Sequence, residues 1–283
     1  MRVLITGATG YLGTAMAESV PAGIEPILTG FSRGDRPLDV TDPVAIAGAI
    51  EQHRPGAVVH LAAVSSVDVA AGDPARASRV NVEGAAAVAA ATERAGVRLV
   101  ALSSDVVFGG ADGPYDENSR SDPINDYGRS KLAGETAVLA ANPDALILRT
   151  TVLVGRDRAG RFPFSAFVLG RARGGLEVEL FENELRNFFP VTRAATAVWE
   201  CAAGDHTGIL HIGAITSTSR YEFGCRVLLE LGLDEGLAVP VQGPPDRPAD
   251  LTLDVSLASS LLNTTMPTIS QCIEETVRDL SVT

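Results

Sequence analysis

The chain has 283 residues, 46% of them hydrophobic and 20% charged, a balance ordinary for a soluble globular protein with room for one large or two smaller domains. Lys and Arg number 23 against 35 Asp and Glu, a net charge of −12, which argues against electrostatic capture of nucleic acid or of an anionic membrane. No apolar run reaches the roughly 20 residues of a membrane span, and "MRVLITGATG" opens on a strand and turn rather than a signal peptide, so the expected location is the cytoplasm.

In chain order, "RVLIT" is a short apolar run that stops at glycines, and "YLGTAMAESV" behind it reads as a helix. "EPILTG" is a second strand and "RPLDV" a third, short one. "TDPVAIAGAIEQHRPG" has a Thr or Asp cap, Pro near the first turn and a Pro-Gly stop, which predicts a helix. "AVVHLAA" reads as a buried strand, and "DPARASRVNVEGAAAVAAATERAG" as one long alanine-rich helix ending at Gly96. "VRLVALSS" is another strand, a helix carrying Tyr127 and Lys131 follows, and "ALILRT" is the strand after it. Short apolar strands alternating with helices predict an α/β fold, a doubly wound parallel sheet covered on both faces.

Beyond Thr151 the pattern weakens. "RDRAGRFP" and "QGPPDRPAD" are loop-like, and helices are expected at "FSAFVLGRARGG", "RAATAVWECAAG", "RYEFGCRVLLELG" and "TISQCIEETVRDL". The predicted organisation is a nucleotide-binding Rossmann domain over 1–155, with a chain return at about 190–213, and a smaller substrate-binding α/β lobe over 156–283. Cys201, Cys225 and Cys272 are an odd number without CxxC spacing, so neither a disulfide framework nor zinc is expected. The four histidines show no metal-ligand spacing. His60 and His211 end strand-like runs and are expected to pack.

"GATGYLG" sets Gly7, Gly10 and Gly13 three apart, between the first strand and the first helix. A helix N-terminus offers unpaired N–H groups and partial positive charge, and glycine lets a pyrophosphate approach. The strand–loop–helix context that such a motif needs is present, although a merely tight turn also uses glycine. The usual acid after the second strand is missing, and Ser32 and Arg33 of "LTGFSRGD" stand there instead. An arginine fork with a serine hydroxyl suits the 2′-phosphate of NADP. A solvent-exposed loop arginine is the alternative.

"NDYGRSKLAGE" places Tyr127 and Lys131 one turn apart on a helix face. Alone, the pair fits a proton-transfer device or an exposed helix turn. With the glycine spacing and "LSSDVVFGG", it resembles an extended short-chain dehydrogenase/reductase. "SSDVVFGGADGPYDENSRSDPINDYGRSKLAGE" at 103–135 is similar to the dTDP-4-dehydrorhamnose reductase branch. So are "PLDVTD" at 37–42, "VVHLAAVSSVD" at 58–68, "RVN" at 79–81 and "RPADLTLDVS" at 247–256. The resemblance is strong over 1–151 and loose from about 156 to 245.

The resemblance implies a catalytic triad of Ser104, Tyr127 and Lys131 and an NADPH cofactor, with NADH as a second choice. Thr9, Tyr11 and Leu12 would join the three glycines around the pyrophosphate. Asp39 and Val40, at the end of the third strand, would touch the adenine. Leu61, Ala62 and Ala63 would lie beside the phosphates and nicotinamide ribose, Asn81 would prop the active-site helix, and Thr150 would pass the nicotinamide. The substrate implied is a nucleotide-linked 4-keto-6-deoxysugar beside Val64, Asp105, Val106 and Val152. Arg186 and Arg247 are candidates for its diphosphate. A homodimer is left open.

Hydride addition to a ketone builds charge on oxygen, which calls for a proton. A phenol with a pKa near 10 gives it readily when a nearby ammonium and an oxidised nicotinamide favour the phenolate. Lys131 is expected to bring Tyr127 down in this way, and Ser104 to orient the carbonyl. The branch usually carries tyrosine where this chain has Val106 and tryptophan near Val152, so a smaller, more apolar sugar pocket is expected. Two rivals stay open. One is a non-catalytic NADP-binding subunit like that of methionine adenosyltransferase, the other a nucleotide-sugar epimerase or dehydratase.

Overall fold

The computed structural model describes residues 1–31, 36–156 and 164–281. Its first part runs β1 (Arg2–Thr6), α1 (Tyr11–Glu18), β2 (Glu25–Leu28), α2 (Pro43–His53), β3 (Ala57–His60), α3 (Val67–Gly72), α4 (Pro74–Ser78), α5 (Ala85–Ala95), β4 (Arg98–Ser104), α6 (Asp126–Ala141) and β5 (Leu146–Thr150). Next come β6 (Leu153–Val154), α7 (Phe164–Arg173), β7 (Val178–Phe181), β8 (Leu185–Arg186), β9 (Phe189–Pro190), α8 (Val191–Ala203) and β10 (Gly208–Ile212). The chain closes with β11 (Thr218–Ser219), α9 (Arg220–Glu230), β12 (Ala238–Val241), α10 (Ser256–Leu261) and α11 (Ile269–Ser281).

Six strands form one parallel sheet in the order β10-β5-β4-β3-β1-β2. Strand residues alternate between two apolar layers, as period-2 side chains must. Val3, Ile5, Val59, Val100 and Leu148 pack with α1 and α8, where Trp199 donates its indole N–H to the Met16 carbonyl at 3.1 Å. Leu4, Val58, Leu99 and Ile147 pack on the other face with Ile46 and Ile50 of α2, Val88 of α5 and Val138 of α6. Coverage of both faces explains the unbroken apolar runs. The order reverses between β1 and β3, so a crevice opens at their carboxyl ends.

The expected third strand at "RPLDV" does not form. Residues 36–40 make only an isolated bridge, Gly30 with Pro37, and β2 is the sheet edge. A parallel neighbour needs a crossover of a dozen residues or more, and the eight residues 29–36 between Leu28 and Pro37 are too few. Leu38 and Val40 bury their side chains against the α2 and α5 layer instead.

The long helix expected before Gly96 is also interrupted. Arg79–Gly84 is a π-helical turn between α4 and α5, and an additional short helix, α3, precedes them with the Ser66 hydroxyl accepting from Val69 N. The wide turn carries Asn81 inward. Its carboxamide accepts from Val64 N and donates to Val64 O and to Ser130 Oγ on α6, at 2.8, 3.0 and 2.9 Å.

The four helices expected after Thr151 are present as α7, α8, α9 and α11, and α10 is additional. Short strand pairs that the sequence left unassigned join them: β6 with β9, β7 with β12 and β8 with β11. Their core is aromatic, with Phe188 stacked on Phe223 at 3.9 Å between centroids. Among the described residues no helix is long and apolar enough to cross a membrane.

Candidate active site

A cleft of about 980 Å³ opens where β1, β3, β4 and β5 end. On the β1 side it is built of backbone. Gly7 has φ +68, and a Cβ there would stand 2.7 Å from Ala62 N, so β1 and β3 can run this close only around a glycine. Gly10 opens α1 in extended conformation without a side-chain cap. The remaining loop positions, Thr9, Tyr11, Leu12 and Gly13, line the same cleft, as do Asp39, Val40, Leu61, Ala62, Ala63 and Val64. Ser32 and Arg33 lie outside the described residues.

At the floor stand Ser104, the last residue of β4, and Tyr127 in the first turn of α6. Asn125 caps that helix, its side-chain oxygen accepting from Gly128 N at 2.8 Å. Gly128 explains one odd residue between tyrosine and lysine, because a Cβ there would run into the Val106 carbonyl. The helix therefore presses against the end of β4 and brings Tyr127 to the cleft that Ser104 also lines. The Ser104 hydroxyl donates to Asp105 Oδ1 at 2.9 Å. Thr150 also lines the cleft, and its buried hydroxyl has no hydrogen-bond partner among the described residues.

Lys131 and Asn81 do not line this cleft; they border a small cavity behind it with His60 and Glu135. The Lys131 ammonium donates to the Leu102 carbonyl at 2.7 Å. Burial lowers its pKa to about 8, with Glu135 pulling the other way. Tyr127 moves opposite to the expectation. Burial, and after it the Asp105 carboxylate, raises its pKa to about 12, and the Ser104 hydroxyl opposes them. The expected lowering by Lys131 is thus not the arrangement in the protein itself, where desolvation and an acid govern the phenol.

The other side of the cleft is a charge cluster that sequence reading found only in part. Asp105 is 3% exposed; Thr151 donates to its Oδ2 at 2.9 Å, and Arg186 Nε lies 4.0 Å from the same oxygen. Arg186 also donates to the carbonyls of Leu185, Pro248 and Ala249. Glu184, 1% exposed, receives Arg220 Nε at 2.6 Å and Arg186 Nη2 at 3.4 Å. Its other oxygen is buried without a hydrogen bond, 3.9 Å from Arg247. Arg247 reaches Asp68 at 3.6 Å and covers the Phe181 ring. Arg186 is therefore spent on protein carbonyls and carboxylates, whereas Arg247 keeps a quarter of its side chain exposed. Val106 and Val152 line the cleft beside this cluster.

Thr151, Glu184 and Arg220 were missed. Arg220 carried one usable signal, the Ser219-x-x-Glu222 capping box that starts α9 at Arg220. Among the described residues no group of His, Cys, Asp or Glu is placed to hold a metal.

The model of the RmlD substrate binding domain family matches residues 1–282. The chain belongs to that family. A probable dTDP-4,6-dihydroxy-2-methyloxan-3-one 4-ketoreductase of Streptomyces antibioticus is 37% identical over 250 residues, 86% of this chain and 81% of that protein. The methionine adenosyltransferase 2 subunit beta of Danio rerio is 31% identical over 256 residues, 86% and 78% of the two chains. The crystal structure of dTDP-4-dehydrorhamnose reductase from Bacillus anthracis in complex with NADP superposes with a TM-score of 0.88 at 26% identity, covering 100% and 98%. Membership covers both the glycine-loop side and the arginine side, since the match spans nearly the whole RmlD-like chain.

Proposed function

We propose that this protein is an NADPH-dependent reductase of a nucleotide-linked 4-keto-6-deoxysugar, with Ser104, Tyr127 and Lys131 as its catalytic set. The observation that carries the reading is that Ser104 and Tyr127 line one cleft whose rim is a glycine-lined helix N-terminus. That rim fits a dinucleotide: the Gly7 close approach leaves no Cβ in the way, and the orphaned Thr150 hydroxyl awaits a polar partner. Relatives of the chain include a dTDP-sugar ketoreductase, and a similar structure holds NADP.

NADPH supplies the hydride to the sugar C4. Tyr127 gives its proton to the C4 oxygen as charge develops there, and a high pKa means that it meets the substrate protonated. Lys131 holds the nicotinamide ribose hydroxyls, which requires its ammonium to leave the Leu102 carbonyl or share it. Residues 1–155 with the return at 190–213 form the cofactor half, and 156–283 the sugar-nucleotide half. Arg247 is the diphosphate candidate with free guanidinium surface. Val106 and Val152 favour a sugar with fewer ring hydroxyls than dTDP-4-dehydrorhamnose.

The test is loss of absorbance at 340 nm with NADPH and a panel of dTDP-, UDP- and GDP-linked 4-ketosugars. Oxidation of NADPH with at least one of them is expected. The likeness to methionine adenosyltransferase 2 subunit beta favours a second reading, a regulatory NADP-binding subunit. Binding of that enzyme without turnover of any ketosugar decides for it.

A further inference from the structure

We infer that Asn125 is a positioning residue for Arg247: one end of its carboxamide caps the helix that carries Tyr127, and the other end holds the loop that presents Arg247 to the cleft. What Arg247 is held for rests on the proposed nucleotide-linked substrate; the two hydrogen bonds that hold it do not.

Donors and acceptors fix how the buried Asn125 side chain lies. A backbone N–H only donates, so the atom that faces Gly128 N at 2.8 Å is the carboxamide oxygen. The NH2 group then meets the Asp246 carbonyl at 3.2 Å, which only accepts. Asp246 belongs to a short loop pinned at both ends to the substrate side. Gly243 N donates to Asn183 Oδ1 at 2.8 Å, and the Pro248 and Ala249 carbonyls accept from Arg186 at 2.8 and 2.9 Å. Between these pins the loop has little to hold it. Pro244 and Pro245 have no N–H to give, and Arg247 N closes a turn on the Pro244 carbonyl at 3.0 Å. Among the described residues, the bond from Asn125 is the one hydrogen bond that ties residues 244–247 to the rest of the chain.

Arg247 is the next residue after that bond. Its side chain lines the cleft and lies over the Phe181 ring, 5.4 Å from the centroid. Its carboxylate neighbours, Asp68 of α3 at 3.6 Å and Glu184 at 3.9 Å, stand beyond hydrogen-bond reach. Unlike Arg186, it gives no side-chain hydrogen bond to any described residue. A guanidinium held by ring and loop with its donors unspent suits an anion of several oxygens, such as a diphosphate. A loop ordered beforehand loses less freedom on binding, so the Asn125 bond should be readable as affinity, and only while Arg247 is there to use it.

The experiment is a double-mutant cycle, read by calorimetric titration of the full chain with dTDP and with UDP. Asn125→Ser keeps a hydroxyl cap on α6, adds no charge and is too short to reach Asp246. It should weaken the nucleotide that binds by roughly 2- to 10-fold, the worth of one hydrogen bond. Arg247→Ala should weaken it by roughly 10- to 150-fold, the worth of a charge-assisted contact. Added to Arg247→Ala, Asn125→Ser should cost less than about twofold more, because coupled residues do not add. If Asn125→Ser does not fold, Asn125→Asp, an equally good cap, is carried through the same cycle. Undiminished affinity in either single variant, or an equal loss with and without Arg247, overturns the inference. A wild type that binds neither dTDP nor UDP overturns it as well. If the cycle comes out as expected but the wild type reduces no ketosugar, the reductase reading fails and the hold of Asn125 on Arg247 stands.

Discussion

The two sides of the cleft reach their shape by different means. The β1 side is backbone: a strand, a glycine turn and a helix N-terminus within residues 2 to 18, with Ala62 pressed against Gly7. The other side is assembled from side chains at 105, 151, 184, 186, 220 and 247, which find one another only in the folded chain. A backbone site is local and periodic, so it shows in a sequence; a site made of ion pairs has no period at all. The contrast also separates their failures. Damage to the backbone side should weaken cofactor binding, and damage to the charge cluster should weaken folding or substrate choice. Tyr127 sits between them and should do neither.

Tyr127→Phe is the sharpest test of that separation. It removes the proton donor and little volume, so turnover should fall by roughly 10²- to 10⁴-fold, the usual worth of a positioned acid. Thermal midpoint and NADPH affinity, read by thermal shift and fluorescence titration, should stay close to wild type. Turnover within threefold of wild type would sink the catalytic assignment.

Next in size is Glu184→Ala on the charge-cluster side. Glu184 is 1% exposed and pairs with Arg220 and Arg186. Removing one partner from a buried cluster strands the others, at a cost on the order of 3–5 kcal/mol. Urea unfolding should show it as a lower midpoint, with cofactor affinity of the folded fraction unchanged. A midpoint that does not move would mean that water already solvates the two arginines.

How much was legible follows the same line. The sheet, the glycine loop and the Tyr127–Lys131 helix were readable because apolar runs, glycine spacing and a cap such as Asn125 are local signals. "RPLDV" misled because its β-like composition says nothing of whether the chain can return in time to pair. Glu184 stands two residues before Arg186, but nothing local marks it as the hub of three arginines. Arg186 was read as a diphosphate ligand on its residue type, whereas three backbone carbonyls take it up. Lys131 was placed correctly on its helix, but its bond to the Leu102 carbonyl depends on how closely α6 approaches β4.

The expectation that Arg33 of "LTGFSRGD" selects NADPH is tested by Arg33→Ala. A charge-assisted phosphate contact is worth about 1.5–3 kcal/mol, roughly 10- to 150-fold. The substitution should weaken NADPH by such a factor and leave NADH nearly unchanged. Equal binding of both cofactors by the wild type would remove Arg33 from cofactor selection.

The smallest effect expected is a pH limb, and it belongs to neither side but to the lysine behind them. Holding ribose hydroxyls calls for the ammonium form of Lys131, whose pKa burial brings from 10.5 to about 8. Tyr127, at about 12, stays protonated throughout, and His60, at about 3, stays neutral. The reduction rate at low substrate should therefore be level below pH 8 and fall about tenfold per unit above it, since this quantity reports the free enzyme. Stability moves the other way. Between pH 8 and 10.5 the unfolded chain holds the lysine proton more tightly than the folded one, so Lys131 contributes a rise in stability across the window in which activity falls. Unfolding cannot then be mistaken for the limb. Lys131→Arg keeps the charge at any pH in this range, so in that variant the limb should vanish while some activity remains. A limb that stays near pH 8 in the arginine variant would assign it to another group and leave Lys131 without the proposed role.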